Sequence, residues 1–95
     1  MMNYNYYVYI LECCDGSYYT GVTNNVEQRL AGHNLGIDPK CYTFSRRPLA
    51  LVHYEHTTDI HVAIAREKQI KRWSRKKKDR INNREHKSSE RVREM

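Results

Sequence analysis

Three features predict an α+β fold: an N-terminal hairpin pattern rich in tyrosine and β-branched residues, a further strand pattern after a capped helix, and a second helix with apolar residues at helical spacing. The order is β-β-α-β-α with a trailing basic helix, which places three strands in a mixed or antiparallel sheet with helices packed on it. A chain of 95 residues has room for one small core. Residues 1–81 are expected to fold as that domain, and residues 82–95, where only Val92 and Met95 are apolar, to form a basic, polar tail that frays.

Tyr6-Tyr7-Val8-Tyr9-Ile10-Leu11-Glu12-Cys13 suits a pleated, largely buried strand. Asp15-Gly16 signals a turn, and Ser17–Val22 reads as the return strand. A two-residue turn puts Cys14 opposite Ser17 and separates Tyr9 from Tyr19. A three-residue turn with left-handed Gly16 puts Cys13 opposite Ser17, pairs Tyr9 with Gly21 and Leu11 with Tyr19, and sets both tyrosines on one face. Asn24-Asn25-Val26-Glu27 resembles a capping box and starts a helix that runs to about Leu35, where Gly36 stops it. Gly32 inside that helix suggests a close approach. Residues 36–47 read as an irregular loop, and Leu49–Glu55 as a third strand behind Pro48. Thr57-Thr58-Asp59 caps a second helix reaching Trp73, with a stripe of Ile60, Ala63, Ile64, Ile70 and Trp73. A basic helix, Arg75–Ile81, follows.

Charge is distributed unevenly. Residues 71–95 carry 11 Lys and Arg against 4 Asp and Glu, a net of +7, while residues 1–70 carry 6 against 7. A near-neutral body with a basic C-terminal segment suits a polyanion, nucleic acid before membrane, because the segment lacks the apolar face of an interfacial helix. No apolar run approaches the roughly 20 residues of a spanning helix, and the N-terminus lacks the features of a signal peptide. Three cysteines, two of them adjacent, form no disulfide framework, so reduced thiols and a cytoplasmic location are expected. The cysteines and five histidines show no zinc-type spacing, and no glycine-rich phosphate loop is present.

Glu67 lies inside the apolar stripe, four residues after Ala63 and three before Ile70. A buried carboxylate calls for a counter-ion, a metal or a cleft. A structural ion pair with Arg29, Arg46 or Arg47 is the plainer alternative. Arg29 and His33, four apart, project from one face of the first helix, where a guanidinium fork and an imidazole suit phosphate oxygens and water.

Taken together, Tyr7-Val8-Tyr9, Tyr19-Thr20-Gly21, Arg29 and Glu67-Lys68-Gln69-Ile70-Lys71 resemble the GIY-YIG nuclease superfamily over roughly residues 5–78. The chain looks most like the short stand-alone bacterial members, whose hairpin reads D-G-S-x-Y-T-G. The resemblance implies a three-stranded antiparallel sheet flanked by helices and a metal-dependent endonuclease acting on DNA, branched or single-stranded forms included, in repair or processing. It makes Tyr9, Tyr19, Arg29, His33 and Glu67 the catalytic set, Glu67 the ligand of Mg²⁺ or Mn²⁺, and Gly21 the motif glycine. Tyr7 stands where the first motif glycine is usual, a departure those short members share. A late asparagine of the family corresponds to Asn82 or Asn83.

On this reading Tyr9 accepts the proton of the attacking water, helped by local positive charge because a phenol near pKa 10 is a poor base. Tyr19 or His33 orients water or phosphate, and Arg29 offsets transition-state charge. Arg46, Arg47, Lys71, Arg72, Arg75, Lys76, Lys77 and Lys78 grip the flanking backbone. The alternatives are a non-catalytic nucleic-acid-binding module of the same fold and a protein-binding adaptor anchored by Tyr and Trp73.

Overall fold

The computed structural model describes residues 4–82. Strand β1 (Tyr6–Glu12) and strand β2 (Tyr18–Thr23) form the hairpin. Helix α1 (Val26–Leu35), a short 3-10 turn (Phe44–Arg46), strand β3 (Ala50–Thr57) and helix α2 (Ile60–Lys71) follow. Residues 75–82 form a further helical segment, α3. The helix thus includes Asn82, one residue past the expected domain end; the rest of the expected tail, with Asn83, lies outside the described residues.

The three strands run antiparallel in the order β2-β1-β3. β1 is the central strand and buries Val8, Tyr9, Ile10 and Leu11 on both faces, which explains its continuous apolar run. The hairpin takes the three-residue turn: Cys13 N–H donates to Ser17 O at 2.8 Å, and Gly16 has φ 84°. Tyr9 therefore pairs with Gly21 and Leu11 with Tyr19, so the two tyrosines share a face. Asp15 braces the turn by accepting from Ser17 Oγ at 2.6 Å. On the β3 side a bulge at Val52 breaks the register between the Ile10–His53 and Leu11–Leu51 pairs.

Each face of the sheet has its own core. Val8 and Ile10 pack with Val52 and with Ala63 and Ile70 of α2, flanked by Tyr6, Tyr18, Val22 and Trp73. Tyr9, Leu11 and Cys13 pack on the other face with Leu49, flanked by Tyr19, Leu51 and Leu30 of α1. The expected stripe of α2 needs one correction: Ile64 is 39% exposed, and the helix buries Ala63 and Ile70. Helix α2 also stops at Lys71 with Arg72 as its C-cap, leaving Trp73 in the turn beyond.

Helix α1 buries no residue fully, so its ends hold it in place. Asn25, rather than Asn24, is the N-cap, and its Oδ1 accepts from Gln28 N–H at 3.0 Å. Gly36 closes the C-terminus at φ 68°, a left-handed position that only glycine fills without strain. Asn34 ties this end to the sheet, accepting from Leu49 N–H at 2.7 Å and donating to Leu49 O at 3.1 Å. A helix fixed this way can turn polar side chains inward without destabilising a core. The close approach expected at Gly32 is absent, since a Cβ there would meet Ile37 Cδ1 at an ordinary 3.6 Å.

Candidate active site

Gly21 shapes the site. A Cβ at residue 21 would stand 2.5 Å from the Tyr9 hydroxyl oxygen, so the bare backbone of edge strand β2 lets the Tyr9 ring lie across it. Tyr9 is 1% exposed, and its hydroxyl meets His33 Nε2 at 3.3 Å. Tyr19 stands beside both, its ring centroid 6.3 Å from that of Tyr9 and 5.1 Å from that of His33. Arg29, one turn before His33 on α1, is exposed and lies with Tyr19, Gln28, His33, Cys41 and Thr43 around a cleft of about 480 Å³.

The electrostatics follow from this packing. Burial pushes the Tyr9 phenol well above its ordinary value, the Tyr19 charge adds to the rise, and Arg29 opposes it. Tyr19 is raised by burial and then by Cys41, again against Arg29. Burial, and then Arg29, hold the His33 imidazole below its usual range, so it is neutral at pH 7. In the protein alone both phenols keep their protons, and a tyrosine base needs added positive charge.

Glu67 does not line this cleft. Helix α2 packs on the Val8/Ile10 face, opposite Tyr9, and the Glu67 charge is the smallest of the named influences that raise the phenols of Tyr9 and Tyr19. Its side chain is 20% exposed, and its ion partner is Lys71, one turn away at 3.4 Å, not Arg29, Arg46 or Arg47. Glu preceding Lys by four residues is the favourable orientation for such a helix pair.

The expected nucleic-acid contacts divide into two groups. Arg46 binds Asp15 at 3.1 Å and Tyr42 O at 2.8 Å, with its guanidinium over the Tyr42 ring. Arg47 donates to Phe44 O, and Arg75 donates to Gly16 O at 2.8 Å. Lys71 is held by Glu67, Lys77 lies over the Trp73 ring, and Lys78 is partly buried. Arg72 and Lys76 are exposed, with no ion pair among the described residues. Several of these cations therefore bind the fold to itself. Asn82, 9% exposed, donates to the Tyr18 hydroxyl at 3.2 Å on the α2 face, away from the Tyr9–Tyr19 face.

Sequence reasoning missed the loop residues Cys41, Tyr42 and Thr43. Thr43 Oγ1 lies 2.8 Å from His33 Nδ1, and the Tyr42 ring stacks on Tyr19 at 6.4 Å. No local pattern marks them, because the loop has no periodicity and their partners lie on other elements.

Residues 5–82 match the GIY-YIG catalytic domain. The chain belongs to the GIY-YIG family. It is 44% identical over 79 residues to a UPF0213 protein of Bacillus pumilus, covering 83% of this chain and 80% of the relative. A UPF0213 protein of Syntrophus aciditrophicus is 51% identical over 72 residues, covering 76% and 83%. Solution NMR structures give the same fold: a UPF0213 protein of Bacillus halodurans has a TM-score of 0.51 at 42% identity over 81% of each chain. A protein of E. faecalis has a TM-score of 0.58 at 34% identity over 88% of each chain. The family likeness thus spans the whole described fold, and the α+β architecture with a three-stranded antiparallel sheet is common to it. Among the described residues no helix is long and apolar enough to cross a membrane.

Proposed function

We propose that the chain is a metal-dependent endonuclease that hydrolyses DNA phosphodiester bonds in the cytoplasm, in repair or processing, with Tyr9, Tyr19, Arg29, His33 and Glu67 as its active site. One observation carries this reading: Tyr19, Arg29 and His33 line one cleft, and the Tyr9 hydroxyl, lying against Gly21, is 3.3 Å from His33 Nε2, while Glu67 joins the set through the family motif.

The donor set fits a particular kind of cation. Glu67 is the one carboxylate the family motif assigns to the site, and among the described residues no group of three His, Cys, Asp or Glu side chains is placed to hold a metal. Such a set suits Mg²⁺ or Mn²⁺, hard cations that accept one or two carboxylates and keep several waters, and does not suit structural zinc. When bound, the cation supplies Lewis-acid polarisation of the scissile phosphate and neutralises charge on the leaving oxygen. Arg29 binds a non-bridging phosphate oxygen from the cleft and opposes the charge that develops in the transition state. Tyr9 accepts the proton of the attacking water, a role its buried phenol fills only where cationic charge draws off its own proton. Tyr19 and neutral His33 orient water and phosphate. Arg72 and Lys76, joined by the neighbouring lysines, track the flanking backbone.

A binding module that does not cut is the second reading, favoured by the Glu67–Lys71 pair, which gives the carboxylate a structural use. The deciding experiment compares wild type with Glu67→Ala on single-stranded, duplex, flap and branched DNA, with Mg²⁺ or Mn²⁺ and with chelator. Cutting that needs the metal and falls by about 10²-fold or more in the variant is expected. Salt-sensitive binding with no cutting by either protein supports the binding module instead.

A further inference from the structure

We infer that Thr43 is the positioning residue for His33: it fixes the imidazole in its Nδ1–H tautomer and so leaves Nε2 as the acceptor of the Tyr9 phenol proton. The inference rests on the nuclease reading only for its effect on turnover; the tautomer itself is a property of the free protein.

Thr43 is a loop residue, yet it is 1% exposed, among the most buried polar side chains described. It caps the 3-10 turn, where Arg46 N–H donates to Thr43 O at 3.0 Å and Phe44 N–H donates to Cys41 O at 3.0 Å. That turn is tied to the hairpin by Cys14 N–H, which donates to Arg46 O at 3.0 Å. Thr43 is therefore held against α1 by backbone bonds that do not involve its side chain.

The side-chain bonds form one chain across four residues. Thr43 Oγ1 donates to Cys41 Sγ at 3.3 Å and lies 2.8 Å from His33 Nδ1. A hydroxyl carries a single hydrogen, so toward His33 it can only accept. Nδ1 must then carry the imidazole proton, which leaves Nε2 bare and facing the Tyr9 hydroxyl at 3.3 Å. The chain runs from Tyr9 O–H to His33 Nε2, from His33 Nδ1–H to Thr43 Oγ1, and from Thr43 Oγ1–H to Cys41 Sγ. The opposite sense starts from a weak thiol donor and turns Nε2–H toward Tyr9. In that sense Thr43 O–H donates to bare Nδ1, and the hydrogen left without an acceptor among the described residues is that of the Tyr9 hydroxyl, on a side chain 1% exposed. Cys41 Sγ, 3.9 Å from Nδ1, is a second but weaker acceptor for the same Nδ1–H, and the Arg29 charge and the Tyr19 ring at 5.1 Å select no tautomer.

The test is long-range ¹H–¹⁵N correlation of His33 in the full chain, without metal or DNA, at about pH 8 where an ordinary imidazole is neutral. The expected wild-type spectrum shows the Nδ1–H form. Thr43→Ser keeps it, and Thr43→Val, of similar shape but lacking the hydroxyl, moves the population toward Nε2–H. In cleavage assays Thr43→Val lowers kcat by about 10- to 100-fold with KM within about twofold, and Thr43→Ser restores it; losses of this size follow when the outer partner of a functional histidine is removed. An Nε2–H wild-type spectrum overturns the inference, and needs no variant to fold. A Thr43→Val protein with the wild-type tautomer overturns it too. If Glu67→Ala leaves cutting intact, the nuclease assignment fails while the tautomer result stands, so the two failures are told apart.

Discussion

The Tyr9 hydroxyl occupies the space a side chain at Gly21 would need: a Cβ there would lie 2.5 Å from the phenol oxygen and 2.7 Å from Cζ. Tyr9 cannot simply swing away, since it is buried in the α1-side core and bonded to His33. Gly21→Ala is therefore expected to destabilise the fold by about 1–3 kcal/mol, the usual cost of overpacking. It should also displace the Tyr9–His33 contact and lower turnover by about 10- to 100-fold. Chemical denaturation and single-turnover cleavage of the same preparation check both. Wild-type stability in the variant would mean that the ring has another place to go.

Alkaline pH should destabilise the protein. Burial holds the phenols of Tyr9, Tyr18 and Tyr19 above their ordinary value, aided by the Tyr19 charge at Tyr9, by the hydrogen bond to Asp79 at Tyr18 and by Cys41 at Tyr19. These phenols keep their protons in the folded state after the unfolded chain begins to lose its own near about pH 10. Above that point the unfolded state binds fewer protons, so stability falls as pH rises; below it the contribution is fully present. Urea midpoints measured from about pH 8 to 11 should decline through the upper part of that range. The decline should be shallower in Tyr9→Phe, and an equal slope in that variant would exclude Tyr9 as a source.

The basic helix is latched to the hairpin by Tyr18, whose hydroxyl donates to Asp79 Oδ1 at 2.6 Å and accepts from Asn82 Nδ2 at 3.2 Å. Tyr18→Phe leaves a nearly buried amide short of a partner, at a cost of about 1–2 kcal/mol, and should lower amide exchange protection across residues 75–82. If this helix tracks DNA, Lys76→Ala should reduce the slope of log K against log salt by about one. Arg47→Ala should change that slope less, because the Arg47 guanidinium is already held by Phe44 O. Equal slope changes in the two variants would mean that Arg47 leaves its internal partner to bind phosphate.

Most elements are legible in the sequence because their signals are local. Asp15-Gly16 and the tyrosine run mark the hairpin, Asn24-Asn25 and Gly36 bracket α1 with its N-cap one residue later than the capping-box spacing gives, and Asp59 caps α2, accepting from His61 N–H at 2.9 Å. The pairing arithmetic of a three-residue turn puts Tyr9 opposite Gly21, but residue types alone leave the two-residue turn equally open. It is the Cys13–Ser17 bond and the positive φ of Gly16 that choose between them. Ile64 misleads because the i, i+3, i+4 rule assumes a broad apolar face, whereas the sheet covers only the Ala63–Ile70 line of α2.

The sequence by itself determined the element order, because hydrogen bonding within a turn, cap or helix depends on near neighbours, and its motifs marked the family and named Tyr9, Tyr19, Arg29, His33 and Glu67 as candidates. Only the tertiary structure decided which partner each side chain takes. It gave Glu67 to Lys71, bound Arg46 and Arg75 to the hairpin, and set Thr43 behind His33. Those choices depend on how two helices and a loop pack against one sheet, and groups far apart in the chain meet only once that packing is complete.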